Sequence, residues 1–345
     1  MLRIALVGCG AAGINHLSYM LKTKGLKVVS VCDVNKDFAA RAGKLAKVPH
    51  YSDAEEMMKN EKLDAAAVIT TANAHYPVAK LAAKYKLHVI CEKPLTLRPE
   101  EGEELIKLFK KEKLILAVTY TYRYVDTTRK MKALIDKGVI GKVNEIRQIS
   151  WGGKAEKYKA GSEMRIKYDR MYQSDIKGIL FDCGVHTFDL FRWFSGEEYV
   201  KFVGMGVCHM GYEYPDSGTI LCEMTGGVRG IYEHGPLPHY LGGQHGICLS
   251  MIVVSGTKGS IVWKIVNKKK KKEYLSEFQL NTEKSFKITE MPIYSKCRDR
   301  QYVDFVKSVK QGSLAGSFPT PEDANLATKA GIDAMKAVMK NIVGK

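Results

Sequence analysis

No apolar run in the sequence approaches the roughly 18 residues that a membrane-crossing helix needs. The first residues, 1–7, lead straight into a glycine cluster and not into the apolar core of a secretion signal, so a cytosolic protein is expected. C-x-x-C pairs are also missing. The eight cysteines (Cys9, Cys32, Cys91, Cys183, Cys208, Cys222, Cys248, Cys297) stand singly, which argues against zinc and iron–sulfur sites and for reduced core thiols. No internal repeat or low-complexity linker interrupts the chain. The basic residues have no stacking aromatics interleaved among them, and no nucleic-acid motif is present, so the formal charge of +17 does not by itself announce a nucleic-acid partner.

The chain does have an ordinary globular composition, 45% hydrophobic and 26% charged over 345 residues, a length that suits two domains with a core each. Its lysines fall on helix faces, as at Lys80, Lys84, Lys107, Lys110, Lys111 and Lys113, and in the run 268–272, read as a solvated hairpin tip. The first third alternates candidate strands at 3–7, 27–32, 65–70, 88–91 and 114–118 with helical periods at 13–22, 37–46, 54–59, 76–84 and 99–111. That is the pattern of βαβ units on a parallel sheet. Pro99 takes the first helical position of the last of these, and Glu100, Glu101, Glu103 and Glu104 follow near the positive end of its dipole. After a helix at 127–137 the pattern changes to alternating β runs at 142–151, 199–208, 218–224, 228–234, 247–255 and 260–266. Helical spacing returns at 321–343. The fold expected is an α/β Rossmann domain over 1–120, followed over 121–345 by an α+β domain with a large, mainly antiparallel open sheet.

Three constellations carry chemistry. Gly8-Cys9-Gly10-Ala11-Ala12-Gly13 follows the first strand and opens the first helix, the context in which G-x-G-x-x-G binds a dinucleotide. Gly8 permits the tight turn, Gly10 the approach of a pyrophosphate, and Gly13 close packing of helix on strand, with phosphates on the helix N-terminus beside Ala11 and Ala12. Asp33 ends the second strand, where a carboxylate accepts from ribose hydroxyls and repels a 2′-phosphate; NAD is expected over NADP. Next, Cys91-Glu92-Lys93-Pro94-Leu95 ends the fourth strand. Pro94 biases Lys93 toward an extended backbone, and the ammonium offers three donors to a substrate hydroxyl. Finally, Asp182 and His186 lie four apart in an apolar helical stretch and share one face. Such a pair suits a base with its orienting carboxylate, two of several metal ligands, or a plain structural hydrogen bond; without an identifiable third ligand, acid–base chemistry is favoured and no metal is expected.

Together these residues resemble the glucose–fructose oxidoreductase / inositol dehydrogenase (Gfo/Idh/MocA) family. The resemblance also takes in the segment 70–75, Glu92-Lys93-Pro94 and the stretch 133–143. It implies a second domain whose open sheet serves oligomerisation, as a dimer or tetramer. It implies Lys93, Asp182 and His186 as the catalytic set, and Thr70, Thr71, Asn73, His75, Glu92 and Lys93 on the nicotinamide side. Two departures stand out: Ile176 and Lys177 replace the first two residues of a glycine triplet of which Gly178 remains, and Thr71 stands where proline is usual.

On this resemblance the expected activity is NAD-dependent oxidation of a secondary hydroxyl on a sugar, glycoside or polyol, C3 of a glycoside among them. His186 takes the proton, Asp182 orients it and Lys93 holds the oxygen. Redox-neutral glycoside cleavage by transient oxidation and elimination is the alternative within the family, and a non-catalytic NAD-binding sensor the alternative outside it. Substrate contacts are expected from Tyr122, Arg123, Trp151, Arg170 and Tyr172. Tyr120, Tyr124, Lys154, His234, His239, Tyr240, Gln244 and His245 lie in the same loop-rich segments. Tyr122 and Arg123 lead, because the resemblance sets their turn beside the nicotinamide. The partner is a small molecule, with no membrane and no nucleic acid.

Overall fold

The computed structural model describes residues 1–151, 178–208, 212–235, 249–270, 273–292 and 297–343. They fall into two compact units: Met1–Tyr124 with Lys296–Lys329, and Val125–Ser295 with Ala330–Lys345.

In the first unit six parallel strands lie in the order β3-β2-β1-β4-β5-β6. They are β1 (Leu2–Val7), β2 (Leu26–Cys32), β3 (His50–Tyr51), β4 (Ala65–Val68), β5 (His88–Cys91) and β6 (Leu116–Val118). Ile4, Ala5 and Leu6 are wholly buried, as are all four residues of β4, because helices cover both faces of a parallel sheet and leave no solvated side. The helices are α1 (Ala11–Met20), α2 (Lys36–Ala46), α3 (Ala54–Asn60), α4 (Ala72–Lys84) and α5 (Pro99–Lys111). Asn35 caps α2 through its side chain, and Asp53 caps α3. Pro99 stands at the start of α5 with Glu100 and Glu101 in its first turn, as the sequence indicated. On the surface, lysines meet glutamates, as in Lys80–Glu104 at 2.6 Å and Lys84–Glu55 at 2.7 Å, so part of the positive charge is locally neutralised.

In the second unit helix α6 (Asp126–Asp136) precedes β7 (Val143–Trp151) and helix α7 (Ile179–Ser195). The remaining strands are β8 (Tyr199–Val207), β9 (Ser217–Met224), β10 (Arg229–Gly235), β11 (Leu249–Gly256), β12 (Gly259–Lys270), β13 (Glu273–Thr282) and β14 (Ser285–Pro292). With β15 (Ile342–Val343) they form a nine-stranded sheet in the order β14-β13-β12-β11-β7-β10-β9-β8-β15. It is antiparallel except where β10 meets β7 and β15 meets β8. The Rossmann sheet and the mainly antiparallel second sheet are thus both as expected, while the β13–β14 hairpin and the two-residue β3 carried too little pattern to be foreseen. Within the lysine run Lys269 pairs with Tyr274 and Lys270 with Glu273.

Helix α7 lies on one face of this sheet. Phe188 meets Tyr199, Phe202 and Tyr232 edge-on, with ring centroids 5.5–5.9 Å apart. Gly230 allows that approach, since a Cβ there would stand 2.7 Å from the Phe191 ring. Two further helices follow, α8 (Cys297–Gln311) and α9 (Pro321–Met339). Sequence periodicity indicated α9 but not α8, which belongs to the first unit and packs Tyr302 and Phe305 into its core. No helix among the described residues is long and apolar enough to cross a membrane.

Candidate active site

The first-unit residues expected to meet a cofactor gather at the C-terminal ends of the parallel strands. The order of those strands reverses direction between β1 and β4, where a crevice opens outside an open sheet. Gly8 has φ +96°, and a Cβ there would lie 2.2 Å from the Ile69 carbonyl oxygen. A Cβ on Gly13 would lie 1.9 Å from the Gly8 oxygen. Gly10 differs: nothing lies within 4 Å of its Cβ position, and its φ of −65° suits any residue. The two outer glycines are therefore required by packing, and the middle one leaves room. Unlike α2 and α3, α1 has no side-chain cap and no acidic residue in its first turn, so its N-terminal N–H groups and dipole are left for an anion. This arrangement fits a dinucleotide pyrophosphate.

Asp33 stands at the end of β2, as expected. Its Oδ2 accepts from the Cys9 N–H at 2.6 Å and its Oδ1 from the Asn35 N–H at 2.8 Å. These bonds tie the glycine turn to β2 and hold the carboxylate in a fixed place, with lone pairs remaining for ribose hydroxyls. At the end of β4, the Thr71 hydroxyl donates to Asn73 Oδ1 at 2.6 Å, and Thr70 precedes it. Thr71 has φ −71° and ψ 149°, the conformation proline would impose, so its departure from proline leaves the backbone path unchanged. His75 is buried on α4. Its Nδ1 is 2.7 Å from the Pro94 carbonyl oxygen and its Nε2 is 3.3 Å from that of Thr70. Burial pushes its pKa below the ordinary value while the two carbonyls oppose the shift. The shorter contact assigns the proton to Nδ1, and the ring links the β4 end to the Lys93–Pro94 turn, whose peptide bond is cis.

Glu92 has a setting that sequence reasoning missed. Its Oε1 is 2.9 Å from His16 Nε2, its Oε2 accepts the Lys93 N–H at 3.0 Å, and His16 Nδ1 is 2.7 Å from the Tyr302 hydroxyl. His16 and Tyr302 have no solvent exposure, and they are 286 positions apart. Burial, with Glu92 adding to it, raises the Tyr302 phenol well above its usual pKa and keeps it a donor. Thr121–Tyr124 forms a 3₁₀ turn after β6 in which Arg123 is buried and Tyr122 half-buried.

Asp182 and His186 belong to the second unit. Gly178, the surviving glycine of the triplet, precedes α7 with φ +78°, a backbone that disfavours any side chain. Asp182 occupies the first turn, where the dipole favours a carboxylate, and His186 follows one turn later; both are half-buried. Across from them on β10, Tyr232 and His234 point to the α7 face, with ring centroids 5.9 Å apart. Burial lowers the His234 pKa to about 4, the Asp182 carboxylate opposing the shift, so the ring is neutral at neutral pH. Trp151 pairs with Gly235 and therefore shares the opposite face of the sheet. Arg170 and Tyr172 lie outside the described residues, as do Lys154, Lys177, His239, Tyr240, Gln244 and His245. Among the described residues no group of three His, Cys, Asp or Glu is placed to hold a metal.

Comparison with known proteins shows the family of the chain. The oxidoreductase family model with an NAD-binding Rossmann fold, GFO/IDH/MocA, matches residues 2–120, and the GFO/IDH/MocA C-terminal domain matches 128–262. The chain is similar to myo-inositol 2-dehydrogenase of Thermotoga maritima, 24% identical over 98% of this chain and 96% of that one. It is also similar to D-glucoside 3-dehydrogenase of Escherichia coli, 27% identical over 59% of this chain and 56% of the relative. A crystal structure of scyllo-inositol dehydrogenase from Lactobacillus casei with bound NAD(H) and scyllo-inositol shares the fold, with a TM-score of 0.80 at 22% identity over 99% and 97% of the two chains. The chain belongs to the GFO/IDH/MocA family of oxidoreductases, and residues 2–120 are that family's NAD-binding Rossmann domain.

Proposed function

We propose that the protein oxidises a secondary hydroxyl of a sugar, glycoside or polyol, with Lys93, Asp182 and His186 as the catalytic set. The observation that carries this reading is the Asp182–His186 pair on α7, a carboxylate one helical turn before an imidazole, in a chain with an intact dinucleotide turn. Bound NAD supplies the hydride acceptor. His186 accepts the hydroxyl proton, Asp182 orients the ring and stabilises its protonated form, and the Lys93 ammonium holds the substrate oxygen as it gains negative charge. Histidine suits the task because its ordinary pKa of about 6.5 lies near working pH. The relatives named for inositol and glucoside oxidation support the substrate class, and the glucoside relative supports C3 as the carbon oxidised. A sensor has no need of the Asp182–His186 pair or of Lys93, which disfavours that alternative.

Asp33 supports preference for NAD over NADP. The outward face of the second sheet carries exposed Val203, Met205 and Leu221, and we assign it to a homo-oligomer contact. Cys9, Cys32, Cys91, Cys222 and Cys297 are free thiols, in keeping with a cytosolic enzyme. The test is NADH absorbance across a polyol, sugar and glycoside panel. His186→Ala should lose about 10²–10⁴-fold in turnover with NAD binding retained; a fully active variant overturns the assignment. Product formed without accumulating NADH would instead select redox-neutral cleavage.

A further inference from the structure

Asp33 on β2 directs the adenosine half of the cofactor to one side of the β1/β4 reversal, so the nicotinamide half falls to the side of β4 and β5, where Glu92 ends its strand. The two redox forms of that ring differ by one positive charge. A carboxylate held beside it discriminates between them, and one that turns away does not.

Three elements fix the Glu92 carboxylate. The Tyr302 hydroxyl, from α8, is 2.7 Å from His16 Nδ1, and His16 Nε2, from α1, is 2.9 Å from Glu92 Oε1. A neutral imidazole has one N–H and one lone pair. The carboxylate can only accept, so the proton sits on Nε2, and Tyr302 donates to Nδ1. The tautomer is thereby set by the phenol, and the ring orientation by both neighbours. Glu92 Oε2, fixed in turn, accepts the Lys93 N–H. His16 and Tyr302 are fully buried and use their side-chain polar atoms on one another and on Glu92, so neither is placed to touch a ligand.

We propose that His16 and Tyr302 are positioning residues that aim the Glu92 carboxylate at the nicotinamide side and so set the enzyme's relative affinity for oxidised and reduced cofactor. This rests on the dehydrogenase reading and adds a device to it, one that brings the C-terminal segment into cofactor chemistry through Tyr302.

The test measures Kd for NAD+ and for NADH, by fluorescence and competition, on the full-length chain and four variants, with thermal unfolding as the check on folding. Glu92→Gln should shift the ratio of the two constants toward NADH by about tenfold. Tyr302→Phe and His16→Leu should shift it the same way by at least about threefold, and His16→Gln, which keeps a donor for Glu92, should restore most of the preference. General damage to the fold weakens both forms alike and leaves the ratio unmoved. A shifted ratio in Glu92→Gln with wild-type ratios in Tyr302→Phe and His16→Leu overturns the positioning role and leaves the dehydrogenase reading standing. An unshifted ratio in Glu92→Gln overturns the proposal at its premise. Failure of the unaltered protein to bind either nucleotide refutes the underlying reading itself. Should His16→Leu not fold, Tyr302→Phe, which removes one oxygen, carries the test.

Discussion

The glycine turn makes two opposite demands on neighbouring positions, and alanine substitution separates them. At Gly13 the new Cβ would lie 1.9 Å from the Gly8 carbonyl oxygen and 2.8 Å from its carbon, both rigid backbone atoms. Overpacking of this kind costs about 1–3 kcal/mol, against at most about 1 kcal/mol regained from alanine's better helix propensity. At Gly10 the Cβ meets nothing within 4 Å, and the φ of −65° imposes no strain. Alanine is the poorer N-cap there by about 0.5–1 kcal/mol, which the lower conformational entropy of its unfolded chain offsets by about 0.4–1 kcal/mol. With about 2–4 °C per kcal/mol for a unit of this size, Gly13→Ala should melt several degrees low and Gly10→Ala within about 1–2 °C of the parent. Cofactor binding should behave the other way round. On the dinucleotide reading the space above Gly10 receives the pyrophosphate, so Gly10→Ala should weaken NAD at least about tenfold and lose about 1.4 kcal/mol of the thermal stabilisation that saturating NAD gives the parent. Calorimetric titration paired with melting, with and without NAD, reads both. Native NAD affinity in a stable Gly10→Ala would refute the cradle, and an unshifted melting point in Gly13→Ala would refute the packing argument.

Asp33→Asn should weaken NAD about tenfold and narrow its margin over NADP, because the repulsion of a 2′-phosphate goes with the charge; parallel titrations of the two nucleotides with an unchanged ratio would oppose this. His234, neutral and depressed to about 4 by burial, makes stability depend on pH. The unfolded chain takes up a proton at this residue first, so its contribution is complete above about pH 6.5 and falls as pH drops toward 4, by at most about 2 kcal/mol at pH 5. Melting curves from pH 7 to 5 should show a shallower loss in His234→Gln than in the parent, and equal slopes would contradict it. Across the outward face Val203 pairs with Leu221, and Leu221 with Ile231. Leu221→Lys should lower the oligomer number seen by sedimentation without changing the monomer's fold, whereas an unaltered sedimentation profile would move the contact elsewhere.

What the sequence revealed and what it concealed divide along chain distance. The glycine turn, Asp33 and the Asp182–His186 spacing are local patterns whose meaning depends on a few neighbouring residues, and each stands on the element its pattern implied. The start of α5 was legible for the same reason, since a proline followed by glutamates is a physical statement about a helix N-terminus. Residue His16 was in plain view three positions after Gly13, yet its partners are 76 and 286 positions away, and periodicity carries no information about such pairs. Helix α8 hid for a related reason. Its apolar face is interrupted by charges, and only the first unit's core shows what Tyr302 and Phe305 are for. His75 is a different case: the family resemblance implied a place on the nicotinamide side, and the structure gives both of its nitrogens to backbone carbonyls, where burial favours the neutral ring. Buried histidines with two protein partners, as at His16 and His75, tie the strand ends to their neighbours. A motif names the groups that touch the cofactor, and the long-range contacts that fix those groups have to be read from the fold.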